Sequence, residues 1–158
     1  MELSAEVLRN AFAAFPSGVT AVAGLVDGVP VGLAASSFTS VSLDPPLVSV
    51  CMARSSTTWP TLRLAPSIGV SVLAEGHGEI ARALAAKTGD RFANLDWQAH
   101  DKGAVLVKGS TLWLTCTLEA ELPAGDHEIA LLRIEDLEVF PGVEPLIFHA
   151  SSFRQLGV

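Results

Sequence analysis

Val19-Thr20-Ala21-Val22-Ala23-Gly24-Leu25-Val26-Asp27-Gly28-Val29-Pro30-Val31-Gly32-Leu33-Ala34 decides the fold class. Two runs of small and β-branched residues flank Asp27-Gly28, and Asp-Gly between such runs is a strong signal for a tight antiparallel hairpin. Working outward, further strands are predicted over Phe38–Leu43 and Leu47–Met52, with Asp44-Pro45-Pro46 as the turn between them. Ile68–Leu73 reads as another strand. Thr111–Glu121 and His127–Phe140 form a longer pair separated by Leu122–Asp126, and Leu146–His149 closes the series. Helical signals are sparse. Ser4 can cap a short helix carrying Leu8, Ala11, Phe12 and Phe15 on a half-buried face, stopped by Pro16 and Gly18. Glu79–Lys87 has an apolar side formed by Ile80, Ala83 and Leu84, and a third helix can start near Ser56–Pro60. About eight strands with short connections predict a mainly β chain with short helices, closed as a small barrel. A parallel doubly wound sheet would need a long helix between most strands, and these are missing.

The length of 158 residues suits one domain, covering 1–158. Apolar residues make up 49% and charged residues only 17%, below the roughly 25% of an ordinary soluble domain, which predicts a folded chain with surface hidden in an oligomer. With 17 acidic against 10 basic residues and no basic run, the net charge of −7 argues against nucleic acid or anionic membrane as a partner. The longest uncharged stretch, Asn10–Val26, is interrupted by Pro16, Ser17, Gly18 and Thr20 and makes a poor membrane span. The start Met1-Glu2-Leu3-Ser4 has no basic flank of a secretory signal, so a cytoplasmic location is expected. Cys51 and Cys116 lie far apart in apolar stretches and read as buried reduced thiols. The four histidines are dispersed, and no metal site is expected.

Neither a Gly-x-Gly-x-x-Gly fingerprint, a phosphate loop ending in Gly-Lys-Ser/Thr, nor a Gly-x-Ser-x-Gly elbow is present. Small hydroxyls instead concentrate in Ala35-Ser36-Ser37-Phe38-Thr39-Ser40 and in Arg54-Ser55-Ser56-Thr57-Thr58-Trp59-Pro60, each following an apolar strand. Hydroxyls and free N–H groups beside Arg54 suit a phosphate, whereas the plain alternative is that they cap a helix and solvate a turn.

Several blocks, in order, carry a resemblance. Phe15-Pro16-Ser17-Gly18-Val19-Thr20, the segment Pro30–Val48, Cys51–Pro60, Asp90-Arg91-Phe92, Pro123–Ile129 and Pro145–His149 together resemble the flavin reductase family of two-component monooxygenase systems. That resemblance implies an FMN-binding split β-barrel of Greek-key type. It implies a homodimer that binds FMN or FAD, receives hydride from NADH or NADPH, and supplies reduced flavin to a separate monooxygenase component. Carried over by position, Ser36, Ser37, Phe38, Cys51, Met52 and Ala53 would line the flavin ring and ribityl chain. Arg54, Ser55, Ser56, Thr57 and Thr58 would hold the phosphate. Asp90, Arg91 and Phe92 would sit at the flavin or dimer edge. His127, the candidate catalytic residue, would face the nicotinamide with Gly125 and Asp126.

Each assignment has a plain rival: a local Asp90–Arg91 ion pair, a core position for Phe92, a mere hairpin turn at Gly125-Asp126, and a turn-satisfying role for His127. The segment Ala150–Arg154 departs from relatives that carry a basic residue and glycine after the histidine matching His149. Alternatives to a reductase are a non-catalytic flavin-binding module and a split-barrel protein using another ligand, such as haem or a deazaflavin.

Overall fold

A computed structural model describes residues 1–157. The Asp27-Gly28 hairpin forms as its residues require. Strand β2 (Thr20–Val26) pairs antiparallel with β3 (Val29–Ala35), and Asp27 and Gly28 take φ of 51° and 77°, the left-handed values of a tight turn.

The main sheet also contains β4 (Thr39–Leu43), β5 (Pro46–Ala53), β6 (Ile68–Val72), β9 (Leu112–Ala124) and β10 (His127–Val139). Its order is β3-β2-β6-β9-β10-β5-β4, with every neighbour antiparallel. The chain leaves β5, passes through the short helix α2 (Trp59–Leu62), and re-enters as β6 on the far side of the β9–β10 pair, a crossover of Greek-key character. The sheet curls around its own apolar face. Val22 from β2 therefore shares one core with Val48, Val50 and Met52 from β5, Leu114 and Cys116 from β9, and Ala130 and Leu132 from β10, while Trp59 and Leu62 of α2 join the same core.

A second core covers the outer face of β2. There Ala21 and Ala23 meet Ala81 and Leu84 of helix α3 (Gly78–Ala85), together with Phe92 and the buried strand β8 (Val105–Val107), which pairs with β7 (Trp97–Ala99). Burial on both faces explains why β2 lacks an apolar–polar alternation. Gly69 on β6 permits the close approach of β8, because a Cβ there would fall on the Val105 carbonyl oxygen. A small sheet of β1 (Ser17–Gly18), β11 (Ile147–His149) and β12 (Ser152–Arg154) adds Phe148 and Phe153 to the edge of this core.

Several expectations need correction. Among the described residues twelve strands form rather than about eight, since the short β1, β7, β8 and β12 escape a pattern reading. The loop expected over Leu122–Asp126 shrinks to Gly125-Asp126, because β9 runs to Ala124 and pairs His127 with Ala124. Helix α1 (Ala5–Phe12) has its Ser4 cap, with Oγ accepting from the Val7 N–H at 3.2 Å, but its apolar face is not half-buried. No residue of α1 is buried; Phe12 is 70% and Phe15 80% exposed. Apart from the partly covered Leu8, its apolar stripe is open to solvent within the described chain. Among the described residues, no helix is long and apolar enough to cross a membrane.

Candidate cofactor cleft

A cleft of about 790 Å³ opens where the ends of β3 and β5 diverge, within the roughly 300–1,000 Å³ common for cofactor sites. One wall is β3 and its continuation, from Leu33 to Ser37. Facing it are Cys51, Met52 and Ala53 at the end of β5, with His127 beside them because the strand register pairs His127 with Ala53. The loop Ser55–Thr58 forms the floor of one end, where Arg91 reaches Thr58, and the end of α3 with Lys87 completes the rim.

Ser37 braces the opening. Its Oγ accepts from the Cys51 N–H at 2.9 Å and donates to the Cys51 carbonyl at 3.4 Å, tying the connection between β3 and β4 to β5. The hydroxyl-rich loop divides its work. Ser56 Oγ accepts from the N–H groups of Thr58 and Trp59 at 3.2 and 3.1 Å, the helix-capping role. Thr58 Oγ1 accepts from Arg91 Nη1 at 2.9 Å. Ser36, Ser55 and Thr57 make no side-chain hydrogen bond among the described residues, so their hydroxyls are free toward a ligand. Ser56 is thus committed to the backbone of the loop, whereas Ser36, Ser55 and Thr57 line the cleft without a side-chain partner among the described residues.

The cation at the loop comes from an unexpected direction. Arg54 does not line the cleft: its Nε donates to the Gly125 carbonyl at 2.9 Å and its Nη1 lies 4.0 Å from Glu128. Beyond the last rung of the β5–β10 ladder the chain turns, and the side chain follows the hairpin tip. Arg91 takes the position instead, braced by Nε to the Ala86 carbonyl at 2.8 Å and Nη1 to the Gly32 carbonyl at 2.9 Å. Lys87, expected inside the helix but placed just beyond its C-cap Ala86, lines the same rim. Among the described residues no acidic side chain lines the cleft, so an acidic chain carries a locally positive site. No sequence spacing signals this placement: Arg91 is set by its bonds to Ala86, Gly32 and Thr58, and Lys87 follows Ala86, the C-cap of α3.

Other expected site residues fall outside the cleft lining. Phe38 packs against the barrel core. Asp90 turns its carboxylate to the Phe92 N–H at 2.9 Å and forms no ion pair with Arg91. Phe92 is 8% exposed and sits in the second core, edge-on to Trp97, which is its plain reading. Gly125 and Asp126 form the hairpin tip outside the lining. Asp126 nonetheless touches the site through His127, whose Nδ1 lies 2.8 Å from Asp126 Oδ1. This bond holds the Asp126 carboxyl below its ordinary range. Behind the loop, Glu121 is held low by hydrogen bonds from Arg63 and then Trp59, tying α2 to β9.

The residues fit a flavin nucleotide: Leu33, Ala34 and Ala35 give apolar surface for a ring system, and free hydroxyls with two cations gather at one end. A family model for the flavin reductase like domain matches residues 12–157. The chain belongs to that family. Among its relatives, a flavin reductase from Pseudomonas putida is 33% identical over 162 aligned positions, covering 96% of this chain and 95% of the relative. The HsaB reductase subunit of a flavin-dependent monooxygenase from Mycobacterium tuberculosis is 30% identical, with 96% and 82% covered. A longer Rhizobium meliloti relative is 39% identical over 132 residues, and the chain spans 42% of its length.

Among solved structures, the NADH:FAD oxidoreductase SgcE6 from Streptomyces globisporus, in complex with NAD and FAD fragments, superposes with a TM-score of 0.91 at 35% identity, covering 96% of this chain and 92% of that one. BorF, the flavin reductase component of a bacterial two-component tryptophan halogenase, gives 0.90 at 34%, with 97% and 98% covered. The split β-barrel expected from the sequence is the fold of this flavin reductase chain.

Proposed function

We propose that this flavin reductase chain transfers hydride from NADH to FAD and hands the reduced flavin to a separate monooxygenase. The cleft carries this reading: an apolar slot continuous with free hydroxyls, Lys87 and Arg91, in a chain whose family model spans nearly its whole length. NADH and FAD are chosen over NADPH and FMN because SgcE6, which is 35% identical, is an NADH:FAD oxidoreductase. A flavin held by these residues would supply the redox chemistry, that of a hydride acceptor toward a reduced nicotinamide.

The protein's own task is positioning. Ser55 and Thr57 would hold phosphate with Arg91 and Lys87, while Ser36, Cys51, Met52 and Ala53 would border the ring and its side chain. His127, oriented by Asp126, would stand on the open side and donate or accept a hydrogen bond to the nicotinamide nucleotide. Replacing it with alanine should lower kcat/KM for NADH by about tenfold to a hundredfold, the value of one hydrogen bond to a charged group, with flavin affinity unchanged. Unchanged kcat/KM with lost stability would return His127 to a turn-satisfying role.

We also place the chain in the cytoplasm as a homodimer. The low charge content and the uncovered apolar face of α1 support a second copy as the covering surface. An obligate interface should bury about 2,000 Å² or more. Sedimentation equilibrium should give the dimer mass at micromolar concentration, and a monomer that binds flavin normally would refute it.

A further inference from the structure

We propose that Arg54 is a positioning residue for His127, setting the nicotinamide side of the cleft from outside it. This inference rests on the reading of His127 given above. The argument begins with what holds the hairpin tip. The β5–β10 ladder ends at the pair Ala53–His127, and beyond it β5 departs into the Ser55–Thr58 loop while β10 turns back into β9 at Gly125-Asp126. Two further bonds join β5 to the tip, both from Arg54: its backbone N–H donates to the Asp126 carbonyl at 2.9 Å, and its Nε donates to the Gly125 carbonyl at 2.9 Å.

The tip otherwise stands in solvent. A Cβ on Gly125 would meet nothing within 4 Å, and the Asp126 side chain is 96% exposed. Asp126 Oδ1 in turn lies 2.8 Å from His127 Nδ1 and so selects the ring orientation. The chain of contacts therefore runs from the Arg54 guanidinium to the Gly125 carbonyl, through the Asp126 peptide and carboxylate, to the imidazole at the cleft. Glu128, 4.0 Å from Arg54 Nη1, adds a weak second anchor on the strand that carries His127.

Two consequences separate this role from the phosphate-binding role that the sequence suggests. Arg54 is absent from the cleft lining, so its loss should leave flavin affinity untouched. Its side chain is 47% exposed, so its loss should scarcely change global stability while loosening one tip.

The test is a double-mutant cycle with Arg54→Met and His127→Ala, together with Arg54→Lys, reading flavin affinity, KM and kcat for NADH, and thermal midpoint. Arg54→Met should lower kcat/KM for NADH by about tenfold, as expected for one oriented hydrogen bond, with the dissociation constants for FMN and FAD within about twofold of wild type. In the His127→Ala background the same substitution should change kcat/KM by less than about twofold, because the residue through which it acts is gone. Arg54→Lys, which can still donate to the Gly125 carbonyl, should recover part of the loss. A tenfold loss of FMN affinity with kcat/KM unchanged would make Arg54 a phosphate ligand and overturn the proposal. Effects that multiply across the cycle, or a His127→Ala variant with normal kinetics, would overturn it too. Wild-type turnover of NADH with added FAD reports separately on the proposed function, so the two failures are distinguishable.

Discussion

Thr57→Ala and Ser56→Ala, adjacent changes in one loop, should have opposite signatures. Ser56 Oγ accepts from two backbone N–H groups, those of Thr58 and Trp59, and Trp59 is a core residue at 4% exposure. Removing that acceptor is equivalent to losing a helix cap, about 1 kcal/mol, which in a domain of this size lowers the melting temperature by about 2–4 °C. Thr57 is exposed and its hydroxyl makes no hydrogen bond among the described residues, so Thr57→Ala should leave the melting temperature within about 1 °C of wild type. If its hydroxyl donates to a flavin phosphate, the loss is that of a hydrogen bond to a charged group, about 1.5–3 kcal/mol, or roughly tenfold to a hundredfold in affinity. Riboflavin lacks the phosphate and should be indifferent. Titration of flavin fluorescence with FMN, FAD and riboflavin, beside thermal unfolding of each variant, reads both quantities. Equal weakening of riboflavin and FMN by Thr57→Ala, or a melting shift as large as that of Ser56→Ala, would refute the division of labour within the loop.

Cys116 is fully buried, and burial pushes its thiol up to about 12, whereas Cys51 is half-buried on the cleft wall. A thiol reagent at mildly alkaline pH should therefore label Cys51 alone, and saturating FAD should slow it; labelling of both thiols, or no protection by FAD, would contradict the cleft assignment. His77 Nδ1 accepts from the Ala74 N–H at 3.0 Å, and burial lowers its pKa. The unfolded chain thus takes up a proton near its ordinary value of about 6.5 while the fold resists it, so stability should fall as pH drops below about 6.5. Glu121 and Asp126, both held low, continue the fall at lower pH, since their contributions are present above the ordinary carboxylate range and are lost as pH falls. Urea midpoints across this range should show a shallower decline for His77→Asn, and an unchanged slope would count against His77. Gly69→Ala should cost about 3 kcal/mol through collision with the Val105 carbonyl, while Gly76→Ala, with nothing within 4 Å, should be nearly neutral in the same unfolding experiment.

The sequence makes the barrel legible because its signals are local: Asp27-Gly28 sets one hairpin, and β-branched runs mark the central strands. It fails where length or distance governs. Strands of two or three residues, such as β1 and β7, are too short to show a period. Leu122-Pro123-Ala124 reads as a turn by composition but is held extended by pairing with His127–Ile129, a tertiary effect that overrides propensity. The site divides in the same way. Backbone order brings Ser36, Cys51, the Ser55–Thr58 loop and His127 to one cleft. Side-chain direction is not local, and it decides the cations. Arg54 is drawn off by a carbonyl 71 residues away, and Phe92 by a core pocket beside Gly32. Arg91 reaches the loop through bonds to Ala86, Gly32 and Thr58, which no spacing encodes.

The central claim is that this cleft brings flavin and reduced nicotinamide together for hydride transfer. Anaerobic rapid mixing of the protein and FAD with NADH, followed by loss of oxidised-flavin absorbance, tests it most directly. Bleaching should be far faster than in free solution, saturate with NADH, and slow in His127→Ala without a change in FAD affinity. FAD that binds tightly yet is reduced no faster than free FAD would contradict the account and leave a flavin-binding module without reductase activity.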